Sequence, residues 1–410
     1  METTNANSGH RAFTLFLYNS CLGIFLSYGV FFTKVSSEYN LPATATSLVF
    51  GVFAVLYSFS SLLLALFMNR RGPASTILLG GSLMGVGLLL SSVANSYPLL
   101  VLTYGVIGGL GSGSMWLPVS YVVFDTFDSA SINRVTGLVS SGTAIGLLLF
   151  PVMEGYLIQN FGLQAAFLAV GMMVLLFTAL TYQTSRRSKV AARFDLRHAI
   201  GGLKTRRFGY LYTYYAAGNA FSRTLVIIFL PPLLESRGFG TTVGFLALSL
   251  VGAGSLVGRL TAGLRVKEET MAAAGFLLQG LGAAALLVSN DPVTVGIVSV
   301  LFGFGYGIYI PEFALLVRKY YGLGNYGTIF GTLLTSFGIG AFIGPVFEGA
   351  EVSLTGGYLF GFVLSTIVSL AVGSHLWYSG RKPGNSEPFI ELEASSRKPG
   401  PPSTRPERPD

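Results

Sequence analysis

Long apolar runs recur along the whole chain, and their length constrains the fold more than any other feature. A helix needs about 20 apolar residues to cross the roughly 30 Å of hydrocarbon in a bilayer. The runs are continuous and do not alternate apolar with polar residues, which favours helices over barrel strands. Twelve membrane spans are therefore predicted, near residues 12–33, 46–68, 74–94, 98–124, 135–158, 163–184, 209–231, 242–264, 270–289, 292–317, 326–349 and 355–378.

The composition agrees with a membrane protein and excludes the main soluble classes. Of the 410 residues, 51% are hydrophobic and only 11% are charged, whereas an average soluble chain is roughly 25% charged. A soluble protein of this size could not hide so much apolar surface from water. The one cysteine, Cys21, has no partner for an intramolecular disulfide. The fold class is thus an all-α membrane protein, which excludes a cytosolic enzyme, a secreted disulfide scaffold and a disordered adaptor.

Basic residues are distributed unevenly about the predicted spans, and this predicts an orientation. With the amino terminus inside, only Lys34 and Arg237 of the 26 basic residues fall outside, and Arg223 and Arg259 fall within spans. The other 22 lie in inner segments, as the positive-inside rule requires. We therefore expect a multi-pass protein of the cell membrane with both termini in the cytoplasm. Basic inner loops facing anionic lipids account for the net charge of +8 without nucleic acid.

A basic loop divides the spans six and six. Residues 11–184 form the predicted N-terminal six-helix bundle and residues 209–378 the C-terminal one, joined by a cytoplasmic loop over residues 185–208. Residues 379–410 are rich in proline, serine, arginine and glutamate, so we expect a disordered cytoplasmic tail.

The two halves share an internal repeat. The block Pro-Val-Met-Glu-Gly at 151–155 recurs as Pro-Val-Phe-Glu-Gly at 345–349, an offset of 194 residues. The same offset relates three pairs of glycines, Gly137 and Gly331, Gly146 and Gly340, and Gly162 and Gly356. Two pseudo-symmetric six-span bundles joined by a basic loop are typical of the major facilitator fold. In that fold the site lies near the midplane between the halves, and rocking exposes it to each side in turn.

Arg259 is the first candidate for a binding residue. It lies within the eighth span, in Gly-Ser-Leu-Val-Gly-Arg-Leu-Thr-Ala-Gly at 254–263. An ionisable residue inside the membrane costs at least a few kcal/mol and is a functional candidate by default. The planar guanidinium can donate two parallel hydrogen bonds to a carboxylate. The alternatives are an arginine that reaches the inner head groups and one paired structurally with an acid.

Other ionisable residues within spans have different candidate roles. Arg223 in the seventh span is a ligand or a member of a gating or structural ion pair. Glu312, after Pro311 in the tenth span, is the leading candidate for a proton carrier, and its alternative role is a salt bridge, for example to Arg259. Glu154 and Glu348 are related by the repeat and lie near the outer ends of their spans, so gate or structural roles are expected.

Aromatic residues are the candidates for lining a cavity, chiefly Trp116, Tyr306, Tyr309 and Tyr28. Packing between helices is the alternative role for each. The three histidines have no cysteine, aspartate or glutamate at metal spacing, and no phosphate-binding loop is present. We therefore predict no metal, no cofactor and no enzymatic activity.

Several motifs, in order and spacing, resemble the monocarboxylate transporter family of the major facilitator superfamily, which is related to the oxalate/formate exchangers. The resemblance covers residues 11–378. It is carried by Tyr28-Gly-Val-Phe-Phe32, Ser37-Glu38-Tyr39, Thr46-Ser47, Gly109-Leu-Gly111-Ser-Gly113 to Pro118, Arg134 with Gly137, Ser140-Ser141-Gly142, Gly146, Pro151, Phe161-Gly162, Ala166-Phe167-Leu168, Gly258-Arg259 to Gly263, and Gly344-Pro345.

The resemblance implies transport of small monocarboxylates such as lactate or pyruvate, commonly with a proton, and implies that Arg259 pairs with the substrate carboxylate. The chain departs from the family at charged positions. Where animal members carry a first-span lysine and an eighth-span aspartate, this chain has Leu26 and Ser255, and Trp116 replaces a frequent tyrosine.

The predicted function is therefore alternating-access transport of a small monocarboxylate across the cell membrane, as proton-coupled symport. The expected partners are the carboxylate, protons and membrane lipids, and the need for an accessory subunit is open. The alternatives are an organic anion antiporter of the oxalate/formate type, an exporter of an unrelated small molecule and, from another class, a non-transporting membrane sensor.

Overall fold

The computed structural model describes residues 2–127, 131–186, 188, 203–261, 266–321 and 326–379, which are almost entirely helical. Ten of the described helices are long and apolar enough to cross a membrane, and a bent pair adds an eleventh crossing. The helix over Ile132–Ser185 contains two crossings, because Gly162 breaks it with φ 87° and ψ 173°. The described chain thus forms twelve spans, numbered one to twelve below, as the apolar runs predict.

The spans follow one another with short connections. Their helical segments are Glu2–Ser20, Leu22–Leu26 and Tyr28–Glu38 in span one, Ala43–Arg71 in span two, Pro73–Ser91 in span three, Tyr97–Leu100, Val101–Gly108, Gly109–Ser112 and Leu117–Thr126 in span four, Ile132–Ser185 in spans five and six, Arg206–Tyr214, Tyr215–Ser222 and Arg223–Ser236 in span seven, Thr241–Leu260 in span eight, Glu268–Val288 in span nine, Pro292–Tyr321 in span ten, Tyr326–Thr355 in span eleven, and Leu359–Ser379 in span twelve.

Spans one, four and seven are irregular. Span one continues to Glu38, beyond the predicted run, and bends by 43° at Ser27. Spans four and seven each contain a π-helical stretch, Val101–Gly108 and Tyr215–Ser222. A π-helical turn changes the direction in which the following side chains point and occurs often at functional sites. Each of the three spans supplies residues to the cavity described below.

Contacts between span ends define two sides of the molecule. Arg11 at the start of span one donates a 3.3 Å hydrogen bond from Nη1 to Oγ1 of Thr126 at the end of span four. At the other ends of the spans, Gln164 donates a 2.6 Å hydrogen bond from Nε2 to Oε1 of Glu38. We call the side of Arg11 and Thr126 the termini side and the side of Glu38 and Gln164 the opposite side.

Glycine allows close approach of neighbouring spans within each half. An added Cβ at Gly146 of span five would lie 2.1 Å from the backbone oxygen of Ser20 in span one. In the C-terminal half, a Cβ at Gly303 of span ten would lie 2.0 Å from the backbone oxygen of Val251 in span eight. Without a hydrophobic force between helices in lipid, such close contact is a principal source of helix association.

The two halves meet along two seams, spans five and eight on one and spans two and eleven on the other. A Cβ at Gly252 of span eight would lie 2.4 Å from the backbone nitrogen of Leu148 in span five. At the second seam, a Cβ at Gly338 of span eleven would lie 2.8 Å from the Cβ of Ser58 in span two. The seams are related by the internal repeat, because span five corresponds to span eleven and span eight to span two.

The opposite side is closed by spans one and seven. A Cβ at Gly29 of span one would lie 2.7 Å from the backbone oxygen of Ile228 in span seven. One turn further, the rings of Phe32 and Phe229 lie 4.8 Å apart. On the termini side, the end of span four, Leu117–Thr126, has its principal packing partners within its own half. Spans one and seven thus hold the two halves together on the opposite side.

Most of the predicted central loop, residues 187 and 189–202, and the predicted tail from residue 380 onward lie outside the described residues. The predictions of a basic cytoplasmic loop and a disordered tail therefore stay predictions.

Replacing Gly146 by alanine tests the close packing of spans one and five. We expect Gly146→Ala to lower the thermal unfolding midpoint of the protein in detergent, because overpacking costs roughly 1–3 kcal/mol. Gly137 is the matched control on the same helix, since nothing lies within 4 Å of an added Cβ there. Gly137→Ala should leave the midpoint unchanged or raise it slightly through helix propensity. An equal loss in both variants would contradict the described packing.

Candidate substrate site between the two halves

A small cavity of about 60 Å³ lies between the two halves and is partly open to solvent. Spans one, two, four and five contribute from the N-terminal half, and spans seven, eight, ten and eleven from the C-terminal half. The lining residues are Leu22, Phe25, Leu26, Tyr57, Trp116, Thr143, Tyr215, Arg223, Arg259, Tyr306, Ile310, Phe330, Leu334 and Phe337. Two of these are arginines and none is acidic, so the lining has an excess of two positive charges.

Arg259 lies one residue before the end of span eight and is only 5% exposed. Its Nε donates to Oγ of Ser255, one turn earlier, at 3.4 Å. Its Nη1 donates to the backbone oxygen of Ser140 in span five at 2.6 Å, across the boundary between the halves. Its Nη2 donates to the hydroxyl of Tyr306 at 3.0 Å. All these partners are neutral, and no described carboxylate forms an ion pair with the guanidinium.

Arg223 follows directly after the π-helical stretch of span seven and is 4% exposed. Its guanidinium carbon lies 4.6 Å from the ring centre of Tyr306 and 5.2 Å from that of Phe337. Its Nε is buried without a hydrogen-bond partner among the described residues. The predicted ion pair of Arg223 is therefore not formed with any described acid. Instead, the charge rests against aromatic faces, an interaction worth up to about 2 kcal/mol when desolvated.

Tyr306 joins the two arginines. Its ring centre lies 5.6 Å from the guanidinium carbon of Arg259 and 4.6 Å from that of Arg223, and its hydroxyl accepts from Arg259. The arrangement holds two guanidinium groups around one aromatic ring at the cavity wall. Planar guanidinium groups recognise carboxylates through paired hydrogen bonds, so this wall is suited to an anion.

The remaining wall is mostly apolar and aromatic and joins the halves. The ring of Phe337 in span eleven contacts Phe25 of span one and Tyr57 of span two, with ring centres 6.0 and 5.7 Å apart. Trp116 lines the cavity from the break in span four, just before the segment that begins at Leu117. A small ligand with one charged end and one apolar end fits such a surface.

Two predicted lining residues, Tyr309 and Tyr28, lie outside the cavity. Tyr309 is buried in the C-terminal half, where its hydroxyl donates to Oε1 of Gln279 at 2.6 Å and its ring stacks on Phe276 at 4.1 Å. Tyr28 is buried in the N-terminal half and donates to the backbone oxygen of Thr46 at 3.0 Å. Both residues point away from the cavity because the helix faces that line it carry Tyr306 with Ile310, and Leu22 with Leu26.

The predicted proton carrier Glu312 is 3% exposed and also lies outside the cavity lining. Its electrostatic neighbours are Glu268 and Glu269 at the start of span nine. Those two acids form salt bridges with Lys319 at 2.9 and 3.0 Å. Arg259 does not pair with Glu312, so the alternative of a salt bridge between them is wrong.

Glu154 and Glu348 are buried on the opposite side, away from the cavity lining. Neither forms an ion pair with a described residue, and no oxygen of either carboxyl accepts a hydrogen bond from one. The structural ion pairs considered for them are therefore absent from the described chain. No group of three or more metal-ligating side chains occurs among the described residues.

Sequence reasoning missed several lining residues, chiefly Phe25, Tyr57 and Phe337. Each lies in a span that is apolar on all faces, so hydropathy alone does not show which face is turned inward. For span one, the spacing of Leu22, Phe25 and Leu26 marks one helical face and was the available signal. Leu26 lines the cavity and Ser255 contacts Arg259. Both are positions at which this chain departs from the charged residues of the monocarboxylate transporter family.

The chain matches the sequence model of the Major Facilitator Superfamily over residues 12–345 and 263–406. Among curated proteins, rat monocarboxylate transporter 13 is 23% identical over 363 residues, which cover 85% of this chain and 83% of that protein. Rat monocarboxylate transporter 9 is 29% identical over 163 residues, but that match covers only 40% of this chain and 31% of that protein. The uncharacterized MFS-type transporter YhjX of Escherichia coli is 22% identical over 78% of this chain and 82% of that protein.

Solved structures agree on the fold. A bacterial homolog of the human lysosomal transporter Spinster, in an inward-facing and occupied conformation, superposes with a TM-score of 0.68. The match covers 90% of this chain and 95% of that one at 15% identity, and the inward-facing unoccupied form gives the same TM-score. The relatives and the fold are those of multi-pass membrane transporters, which are not enzymes. The chain belongs to the Major Facilitator Superfamily, as a member related to the monocarboxylate transporters.

Proposed function

We propose that the protein carries small monocarboxylates of the lactate and pyruvate type across the cell membrane by alternating access, as a proton-coupled symporter with both termini in the cytoplasm. One observation carries the proposal: Arg259 and Arg223 line a cavity between the halves that contains no acidic side chain. The names of the relatives, monocarboxylate transporters 13 and 9, support the substrate class.

The electrostatics of the cavity favour an anion. Burying an unpaired charge in a membrane protein costs at least a few kcal/mol, and a counter-charge recovers much of that cost. Arg259 has only neutral hydrogen-bond partners, and Arg223 rests on aromatic rings. A substrate carboxylate supplies the charge that the described chain does not.

The hydrogen bonds of Arg259 link substrate binding to movement of the halves. Nη1 donates to the backbone oxygen of Ser140, which belongs to the other half. An arriving carboxylate is a stronger acceptor than a neutral carbonyl and competes for this donor. Loss of the bond to Ser140 loosens the seam between spans five and eight on the termini side, which is the first step of rocking in the proposed cycle.

Removing the guanidinium of Arg259 tests the proposal. In proteoliposomes under an inward proton gradient, we expect wild-type protein to take up labelled lactate or pyruvate and Arg259→Ala to lose at least about tenfold in rate. Charge-assisted hydrogen bonds contribute about 1.5–3 kcal/mol, and 1.4 kcal/mol corresponds to about tenfold.

The matched control removes a basic side chain outside the cavity. Lys34 lies on the opposite side with its side chain 44% exposed, and among the described residues its ion pair is an i,i+4 contact with Glu38 at 3.7 Å. Lys34→Ala should retain uptake. Full activity of Arg259→Ala would place the carboxylate elsewhere, and an absence of wild-type uptake for both acids would contradict the substrate class.

Arg223 favours a second candidate function, exchange of dicarboxylates. Its guanidinium carbon lies 4.6 Å from the ring centre of Tyr306, whose hydroxyl accepts from Arg259, so the two arginines offer two positive charges to one ligand. An anion with two carboxylates would neutralise both charges, whereas a monocarboxylate neutralises one. This candidate corresponds to an organic anion antiporter.

The substitution Arg223→Gln separates the two candidates. If the natural substrate is a dicarboxylate, we expect oxalate counterflow in proteoliposomes to fall at least about tenfold in Arg223→Gln while any lactate uptake persists. For a monocarboxylate carrier, wild-type protein should show lactate uptake and no oxalate counterflow. Oxalate counterflow that survives in Arg223→Gln would exclude the proposed second contact.

A further inference from the structure

Two buried glutamates on the opposite side are not used by the proposed substrate site. Glu154 in span five and Glu348 in span eleven occupy the same position of the internal repeat, and both are 0% exposed. All four of their carboxyl oxygens are buried without a hydrogen-bond partner among the described residues. The repeat thus places one unpartnered carboxyl in each half, at symmetry-related positions.

The surroundings of Glu154 contain no described cation. Its polar neighbours are Ser27 of span one and Tyr104 of span four. The hydroxyl of Ser27 donates to the backbone oxygen of Ile24 at 3.0 Å, and by rotation it is the neutral donor within reach of the carboxyl. The next residue, Gly155, contacts the other half: a Cβ there would lie 2.0 Å from the ring of Phe245 in span eight.

The surroundings of Glu348 likewise contain no described cation. Its Oε2 packs against Gly361 of span twelve, 1.4 Å from where a Cβ of that residue would lie. The titratable groups facing it are Glu351 on the same span and Tyr358 on the connection to span twelve. Glu235 of span seven faces Tyr358 in turn. No described basic side chain pairs with any of these groups.

The glycine after Glu348 also contacts the other half. A Cβ at Gly349 would lie 2.2 Å from Oγ of Ser47 in span two. Gly155 and Gly349 therefore mark the two seams on the side that is closed in this structure. Each glutamate lies directly beside a contact that separates when the halves rock apart on that side.

An ionised carboxylate in such surroundings would lose its hydration without gaining a cation. We propose that Glu154 and Glu348 are a pair of proton-binding sites, and that each binds a proton when the opposite side closes and releases it to that side when it opens. The carboxyls become hydrated on opening, so the open state tolerates the charge and the closed state does not. Acid on the opposite side then favours closure, and alkali favours opening.

This inference rests on the alternating-access part of the proposed function and not on the identity of the anion. Because closure takes up one proton per carboxyl, the ratio of closed to open molecules should change by up to about tenfold per pH unit for each site. Two sites acting together give up to about a hundredfold. Replacing one glutamate with glutamine keeps that site neutral and should remove one proton from the dependence.

The experiment measures opening of the opposite side directly in the full chain. Spin labels are attached at Ser37→Cys and Thr241→Cys, both exposed on that side in different halves, in a Cys21→Ala background. Label distances are recorded by pulsed electron resonance in lipid nanodiscs from about pH 5 to about pH 9. We expect the short distance to dominate in acid and a longer one to grow with pH. The steepness should fall in Glu154→Gln and in Glu348→Gln, and the double variant should keep the short distance throughout.

Glu351→Gln is the matched control. The oxygens of Glu351 accept the backbone N–H groups of Phe360 and Gly361 at 2.8 and 2.7 Å, so its ionised form already has donors. This variant should retain the wild-type steepness of the pH dependence, with its midpoint moved because a charge facing Glu348 is lost. A wild-type distance that does not vary with pH, or a dependence that survives in the double variant or is lost only in Glu312→Gln, would overturn the inference. Transport is not needed for this readout, so failure of the anion proposal and failure of this one are distinguishable.

Discussion

The structure depends on two guanidinium groups held near the boundary of its halves without a described counter-charge. Arg259 is oriented by three neutral acceptors and Arg223 by two aromatic faces, and Tyr306 is common to both. Burying two unpaired charges in this way costs free energy in a membrane unless an anion neutralises them. In the proposed site the arginines supply the attraction and the apolar wall selects for size and shape. The proposal of a negatively charged ligand therefore has support from these side chains that is independent of any likeness to other transporters.

The internal repeat explains how a cavity forms at this boundary. Spans five and eleven are related by the repeat, and each packs closely on a span of the other half through glycines such as Gly252 and Gly338. Close contact along these two seams leaves the space between them to the irregular spans one, four and seven. Spans one and seven supply the residues of the opposite-side closure, and all three irregular spans supply part of the cavity lining. The repeat thus accounts for the two packed seams, and the irregular helices account for part of the cavity between them.

The sequence predicts the number of spans and the two-half architecture well, because hydropathy and the repeat are local properties of the chain. It identifies Arg259, Arg223, Trp116 and Tyr306, which the structure brings to the cavity, since charges and large aromatics are conspicuous in apolar helices. The sequence does not predict which residues face the cavity where that depends on the rotation of a helix about its axis. Glu312 is about 120° around the helix from Tyr306, and Tyr28 follows the bend at Ser27. A span that is apolar all round carries no signal of which face is inward, and bends and π-helical stretches alter the phase further.

The central claim is that the cavity is an anion site, and ligand-dependent thermal stability of the purified wild-type protein tests it most directly. A ligand that binds only the folded protein raises the unfolding midpoint in proportion to the logarithm of its concentration over its Kd. Lactate, pyruvate and oxalate would be compared with the corresponding uncharged amides at equal ionic strength. We expect at least one carboxylate to raise the midpoint and its amide to leave it unchanged. Equal stabilisation by acid and amide, or stabilisation by neither, would contradict an anion site formed by Arg259 and Arg223.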